Sequence, residues 1–241
     1  ILPVIILDIS PVEMTSVDMH MVTFTVTNEN SDPIVGAAIS IDNQDLITDG
    51  SGVASLYLAD DTYTYSVTAA GYAPVEDVTL EVAGDDVDED VTLLNVYELS
   101  FHVTDDNNTP IEGAFIIVGG TFLTTDANGD AAIDAVNGTY VYAVTKADYE
   151  TVDGEVTVAG ADAHADVVIR LVYFVNFTIN DISGNPIEDV EILISDSTLV
   201  TDVDGEAFIE IANGTYEVVV SKAGYLSSTF DVVVDGAHQD V

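Results

Sequence analysis

Leu99-Ser100-Phe101-His102-Val103-Thr104 alternates apolar and polar side chains. That is the period of a strand with one face in a core and the other in water. Outward from it, the runs Ala114–Val118, Thr121–Thr125, Ala131–Ala135, Thr139–Thr145, Glu155–Val158 and Asp166–Tyr173 are rich in Val, Ile, Thr and Tyr, with turn residues between them. Asn137-Gly138 and Asn213-Gly214 fall between strands, where the sequence predicts hairpin turns with positive φ. No window carries a long amphipathic helical pattern. Seven short strands of this kind predict an all-β, two-sheet sandwich of immunoglobulin-like character.

The unit occurs three times. Pro33, Pro110 and Pro186 are 77 and 76 residues apart (110 − 33 and 186 − 110). The same offsets link Gly52, Gly129 and Gly205, then Tyr63, Tyr140 and Tyr216, then Tyr72, Tyr149 and Tyr225. A unit this long folds alone, so the repeat predicts tandem sandwiches over 20–97, 98–173 and 174–241, after an N-terminal strand at 1–10 and a linker at 11–19.

The ends of the chain do not match. The first two units close with Val91-Thr92-Leu93-Leu94-Asn95-Val96 and Val167-Val168-Ile169-Arg170-Leu171-Val172. The approach to the second is Ala163-His164-Ala165-Asp166-Val167; the third unit reads Ala237-His238-Gln239-Asp240-Val241 and goes no further. On this alignment His164 and His238 are equivalent, and the third sandwich lacks its last strand. Val4-Ile5-Ile6-Leu7-Asp8-Ile9 matches both closing strands. With Arg170 facing water, Val167, Ile169 and Leu171 point inward, which sets Val4 and Ile6 toward a core and leaves Ile5, Leu7 and Ile9 on the outer face. The expected acceptor groove lies around Phe177, Val219 and Val232. The connector Ser10–Met19 reaches at most about 35 Å, so donation to a second copy is easier than closure on the same chain, and identical subunits are the expected partners. The alternative is that residues 1–9 add a strand to the first sandwich and that the closing strand of the third lies in further sequence.

Composition narrows the function. The 241 residues carry 44 acidic and 3 basic side chains, a net charge of −41. Nucleic acid is excluded as a partner, because three cations cannot neutralise a phosphate backbone. Anionic membrane surfaces repel the chain, and residues 1–9 are too short to insert as a span. Hydrophobic content of 48% separates it from acidic disordered tails. Self-repulsion of this size suits high ionic strength or bound divalent cations. There is no cysteine, so redox chemistry says nothing of compartment.

Candidate sites are few. Asp85, Asp86, Asp88 and Asp90 form the densest acidic run; it reads as a solvated loop, and its oxygen ligands also make it a candidate Ca2+ site. Asp202-Val203-Asp204-Gly205 has the start of a calcium loop without the later ligands and reads as a β-turn. Asn107, Asn137, Asn176 and Asn213 stand in N-x-T sequons, with Asn107 the most accessible and Asn176 inside a strand. His20, His102, His164 and His238 have no metal-ligand spacing. No nucleophile motif or phosphate loop appears, so no catalytic residue is assigned. Tyr63, Tyr140 and Tyr216 start a predicted strand and are expected to pack in or over the core, with Tyr72, Tyr149 and Tyr225 at the far end of the same strand.

Thr125-Asp126-Ala127-Asn128-Gly129, Asn137-Gly138-Thr139-Tyr140 and Lys146-Ala147-Asp148-Tyr149 resemble the carboxypeptidase regulatory-like domain, a relative of transthyretin-like and Cna-B-like sandwiches. Thr201-Asp202-Val203-Asp204-Gly205, Asn213-Gly214-Thr215-Tyr216 and Ser221-Lys222-Ala223-Gly224-Tyr225 repeat the pattern, as do Thr48-Asp49-Gly50-Ser51-Gly52 and Ala70-Gly71-Tyr72. The resemblance implies non-catalytic spacer or surface modules, and hence an extracellular, cell-surface setting. Cna-B domains of pili carry a Lys–Asn isopeptide bond from a lysine in the first strand; here the first strands hold Phe24, Phe101 and Phe177 with no lysine, so that crosslink is not carried over. Two functions follow: a filament or pilus subunit polymerised by strand donation, or a fragment of a surface spacer or adhesin stalk.

Overall fold

The computed structural model describes residues 17–241. Every regular element in that range is a strand, and no helix among the described residues is long and apolar enough to cross a membrane. The first sandwich comprises β1 (Met19–Asn28), β2 (Ala38–Ile41), β3 (Gln44–Ile47), β4 (Val53–Ala59), β5 (Asp61–Thr68), β6 (Val75–Val82) and β7 (Val87–Leu93). The second comprises β8 (Tyr97–Thr104), β9 (Phe115–Val118), β10 (Thr121–Thr124), β11 (Asp130–Ala135), β12 (Gly138–Thr145), β13 (Val152–Val158) and β14 (Ala163–Val168). The third comprises β15 (Val172–Thr178), β16 (Glu191–Ile194), β17 (Ser197–Val200), β18 (Glu206–Ala212), β19 (Gly214–Ser221), β20 (Ser228–Val234) and β21 (Gln239–Asp240). One compact unit ends at Val96; the second begins at Tyr97 and holds two sandwiches.

Each sandwich has one topology. A three-stranded sheet (β4-β1-β7, β11-β8-β14, β18-β15-β21) faces a four-stranded one (β3-β2-β5-β6, β10-β9-β12-β13, β17-β16-β19-β20). The first strand lies in the middle of the smaller sheet, antiparallel to one neighbour and parallel to the closing strand. Its alternation buries Val22, Phe24 and Val26, then Leu99, Phe101 and Val103, then Val175 and Phe177. The three phenylalanines are the largest fully buried side chains. Against them pack Ile39 and Ile41, Ile116 and Val118, or Ile192 and Ile194 from the larger sheet.

The repeated Thr-Asp-x-x-Gly stretch is a structural lock. Thr48, Thr125 and Thr201 are buried, and each hydroxyl works in two directions. Thr125 Oγ1 donates to the Ile111 carbonyl at 2.6 Å and accepts from the Ala114 N–H at 2.9 Å; Thr48 and Thr201 make the equivalent pairs. The following aspartate closes an Asx turn: Asp126 Oδ1 accepts from the Asn128 and Asp130 N–H groups. Gly129 ends the stretch at φ 81° against the Val103 carbonyl, and at Gly52 (φ 75°) an added Cβ would stand 2.6 Å from the Val26 carbonyl oxygen. Only glycine fits. The β-turn expected at Asp202–Gly205 is the same device, with Asp202 accepting from Asp204 and Glu206.

Three sequence expectations change. The run Asp166–Tyr173 is not one strand: β14 stops at Val168, and Val172 already begins β15. Leu171 is 40% exposed rather than inward, because the chain has left the sheet edge and bridges to Tyr149. Asn137-Gly138 and Asn213-Gly214 are not positive-φ hairpins. They join strands of different sheets, and each asparagine Oδ1 accepts instead from a distant backbone N–H, of Gly160 or Gly236. The residues at positive φ in the hairpins are Asp42-Asn43, Gly119-Gly120 and, in the third sandwich, Ser195. Last, the two Ala-His-x-Asp-Val stretches are out of register by two residues. Gln239, not Ala237, takes the place of Ala163, because Gln239 pairs with Val175 as Ala163 pairs with Leu99.

Two outcomes test these locks. Thr125→Val leaves a buried N–H and a buried carbonyl without partners and should destabilise the second sandwich by about 1–3 kcal/mol, read by urea denaturation. The Asp126 carboxyl is held below its ordinary range by the Asp130 and Asn128 N–H groups, and Asp49 by Ser51 and Val53. A depressed folded pKa means that the contribution is present above the unfolded value and lost as pH falls through the folded one. An NMR titration should therefore give midpoints for Asp49 and Asp126 below the usual aspartate value, with the loops loosening only in acid.

Candidate functional site at the open end of the third sandwich

The closing strand does two things in the first two sandwiches. It puts two side chains into the core: Val91 and Leu93 (4% and 0% exposed), or Val167 and Ile169 (3% and 0%). Its tail then enters a clasp made by the segment between the fifth and sixth strands. The Ala73 N–H donates to the Leu94 carbonyl at 2.8 Å, and the Val96 N–H donates to the Gly71 carbonyl at 3.0 Å. Glu150 with Arg170 and Val172 with Asp148 repeat the two bonds at 2.8 and 2.9 Å. Tyr72 and Tyr149 sit between them, bridged to Asn95 and Leu171.

The third sandwich has only the beginning of this. β21 pairs Gln239 and Asp240 with Val175 and Asn176. Val241 then exchanges bonds with Asn176 and Thr178, at 2.8 and 2.9 Å, which places it beside Phe177. Val241 is thus the counterpart of Glu89 and Ala165, two positions before Val91 and Val167. Ile179, Ile187 and Val220 are partly exposed, whereas their counterparts Val26, Ile34 and Val67, and Val103, Ile111 and Val144, are 0–7% exposed. A cleft of about 160 Å³ opens there; Ile179, Ile187, Val190, Val220, Tyr225 and Leu226 line it together with Asn180, Ser221 and Lys222. Tyr225 and Leu226 are 54% and 99% exposed. Among the described residues, Leu226 and Gly224 make no counterpart of the clasp bonds.

The groove therefore sits at one end of the core. Phe177 and Val232 are already buried (1% and 6%), and Val219 alternates with Val218 and Val220 on the other face of β19. The expected donor residues Val4, Ile5, Ile6, Leu7 and Ile9 lie outside the described residues. The clasp was missed in the sequence, although the repeated Tyr72, Tyr149 and Tyr225 mark its centre.

Other candidates fall into place individually. Asp86 Oδ1 accepts from the Met21 N–H at 2.7 Å, Asp88 and Asp90 project from the exposed face of β7, and Asp85 is in the preceding loop. Among the described residues no three side chains converge to hold a metal ion. Asp162 accepts from Glu98 as Asp86 does from Met21, and His238 takes this role in the third sandwich, with Nδ1 accepting from the Phe174 N–H at 2.8 Å. His238 is thus the counterpart of Asp86 and Asp162, not of His164. His20, His102 and His164 each face a single aspartate. Asn107, Asn137, Asn176 and Asn213 are all exposed; Asn176 points outward from β15 and donates to Asp240.

Residues 21–94 match the carboxypeptidase regulatory-like domain, and the second and third sandwiches repeat its paired sheets. No curated protein matches the chain. Among solved structures, the Bacillus anthracis TIE protein is 20% identical over 92% of this chain and 49% of that one, with a TM-score of 0.32, so the chain spans about half its length. A streptococcal ancillary pilin is 12% identical over 93% and 98%, TM-score 0.35. BcpA, the major pilin subunit of Bacillus cereus, is 14% identical over 93% and 97%, TM-score 0.29.

Ile111 and Ile187 are the same residue at equivalent positions, one sealed and one open. Ile111→Ala should cost roughly 2–5 kcal/mol. Ile187→Ala should cost markedly less in the isolated protein, as measured by the unfolding transition of each sandwich.

Proposed function

We propose that the chain is a non-catalytic structural subunit of an extracellular filament, built of the three sandwiches β1–β7, β8–β14 and β15–β21. Subunits are joined when residues 1–9 of one copy complete the third sandwich of the next. The observation that carries this reading is the partial exposure of Ile179, Ile187 and Val220 where six counterparts are buried. A strand laid there would bury two apolar side chains, worth roughly 1.5–3 kcal/mol each before ordering costs, and would pair the backbone that follows β15, at Ile179 and Asn180. Val4-Ile5-Ile6-Leu7-Asp8-Ile9 has the composition of the strands that fill this position in the other two sandwiches. The four exposed sequon asparagines suit a surface setting.

A second reading has its own observation. β21 enters the lane beside β15 in the register of β7 and β14, as it would if sequence after Val241 continued the strand in a longer spacer or adhesin stalk. Deleting residues 1–9 separates the two. Under strand donation the truncated protein stays monomeric, its third sandwich melts at a lower temperature than in assembled material, and a peptide of residues 1–9 added in trans restores that melt. Filaments that persist after the deletion, in material whose intact mass exceeds 25.5 kDa, would favour the stalk.

A further inference from the structure

We infer that the groove of the third sandwich extends into the Gly224-Tyr225-Leu226 clasp, and that the clasp fixes a single register for the incoming strand: Val4 beside Ile179, Ile6 in the core, and Asp8 facing Tyr225. This rests on the strand-donation reading and specifies the contact it makes.

The register comes from three observations. First, Val241 is the counterpart of Ala165, so on the strand-donation reading the incoming strand takes the lane from the counterpart of Asp166 onward. Second, bonding to the first strand alternates along this lane. Val241 donates to the Asn176 carbonyl and Ile169 to the Thr104 carbonyl, so the residues whose N–H groups face the first strand are the inward ones, while the counterparts of Asp166 and Val168 need no such donor. Pro3 has no N–H. It can occupy only an outward position, which sets Val4 and Ile6 inward and Ile5 and Leu7 outward. Third, Val4-Ile5-Ile6-Leu7-Asp8-Ile9 laid on Val91–Val96 puts Asp8 where Asn95 bridges Tyr72 and Ile9 where Val96 donates to Gly71. Leu226 then donates to the Leu7 carbonyl, and the Ile9 N–H donates to Gly224. The incoming strand is held along one edge by β15 and at its tail by the clasp.

In the first two sandwiches the bonds flank the tyrosine pair instead of joining it, the close, non-hydrogen-bonded arrangement of antiparallel neighbours. Such pairs are near enough to bridge by a disulfide, and the chain has no cysteine of its own. The test is Asp8→Cys with Tyr225→Cys in the full chain, oxidised under assembly conditions and run on a non-reducing gel beside an electron micrograph of the same sample. The expected result is a ladder of covalent multimers that collapses on reduction, with Ile6→Cys/Tyr225→Cys giving at least tenfold less. A ladder from the Ile6 pair instead overturns the register. Filaments without a ladder from either pair overturn the clasp and leave strand donation standing. Crosslinked monomers without filaments support the clasp and overturn polymerisation between copies.

Discussion

A central strand bonded along only one edge cannot seal the core beneath it, and the rest of this structure follows from that constraint. β1, β8 and β15 each carry the phenylalanine around which a sandwich is packed. Each has an antiparallel neighbour supplied early by the chain and a parallel neighbour supplied last. A parallel neighbour cannot come from a tight hairpin. The chain therefore traverses the whole larger sheet before the parallel neighbour is laid down, and the final strand is the last element of each sandwich to be added.

The acidic surface is used more for turns than for ion pairs. Among the described residues, the salt bridges are three histidine–aspartate contacts and Arg170 with Glu150. Asp49, Asp105, Asp126, Asp181 and Asp202 instead accept backbone N–H groups in tight loops, which removes the need for cationic partners. The remaining carboxylates repel across exposed faces, and salt in the medium screens them. The outer face of the second sandwich breaks this pattern: Phe115, Ile117, Phe122 and Val141 are exposed there, where the first sandwich has Ala38, Ser40, Asp45 and Thr64.

Much of the fold was legible because the signals were periodic. Alternation around Phe101 marks a strand with one buried face, and the fixed offsets among Pro, Gly and Tyr mark the threefold repeat. The misreadings have specific causes. The Ala-His-x-Asp-Val likeness misled by two residues because a short local match was set above a constant loop length, which the structure preserves at Gly84, Gly160 and Gly236. Asn-Gly reads as a hairpin because sequence does not reveal that the chain crosses between sheets there. Phe177 and Val232 lie at strand centres and are already buried, whereas the closing strands of the first two sandwiches cover the end of the core, over the counterparts of Ile179 and Ile187. Thr125 looked like one more strand residue; only its two buried hydrogen bonds explain why threonine stands there.

The scarcity of cations has a further effect. Lys146 Nζ donates to the Glu112 and Gly113 carbonyls, Lys222 Nζ contacts the equivalent Glu188 and Asp189 carbonyls, and Arg170 is engaged with Glu150. These are the only basic side chains in 241 residues. A protease that recognises lysine or arginine thus meets only three cleavage points in the whole sequence, and in the fold each of their side chains already has a partner.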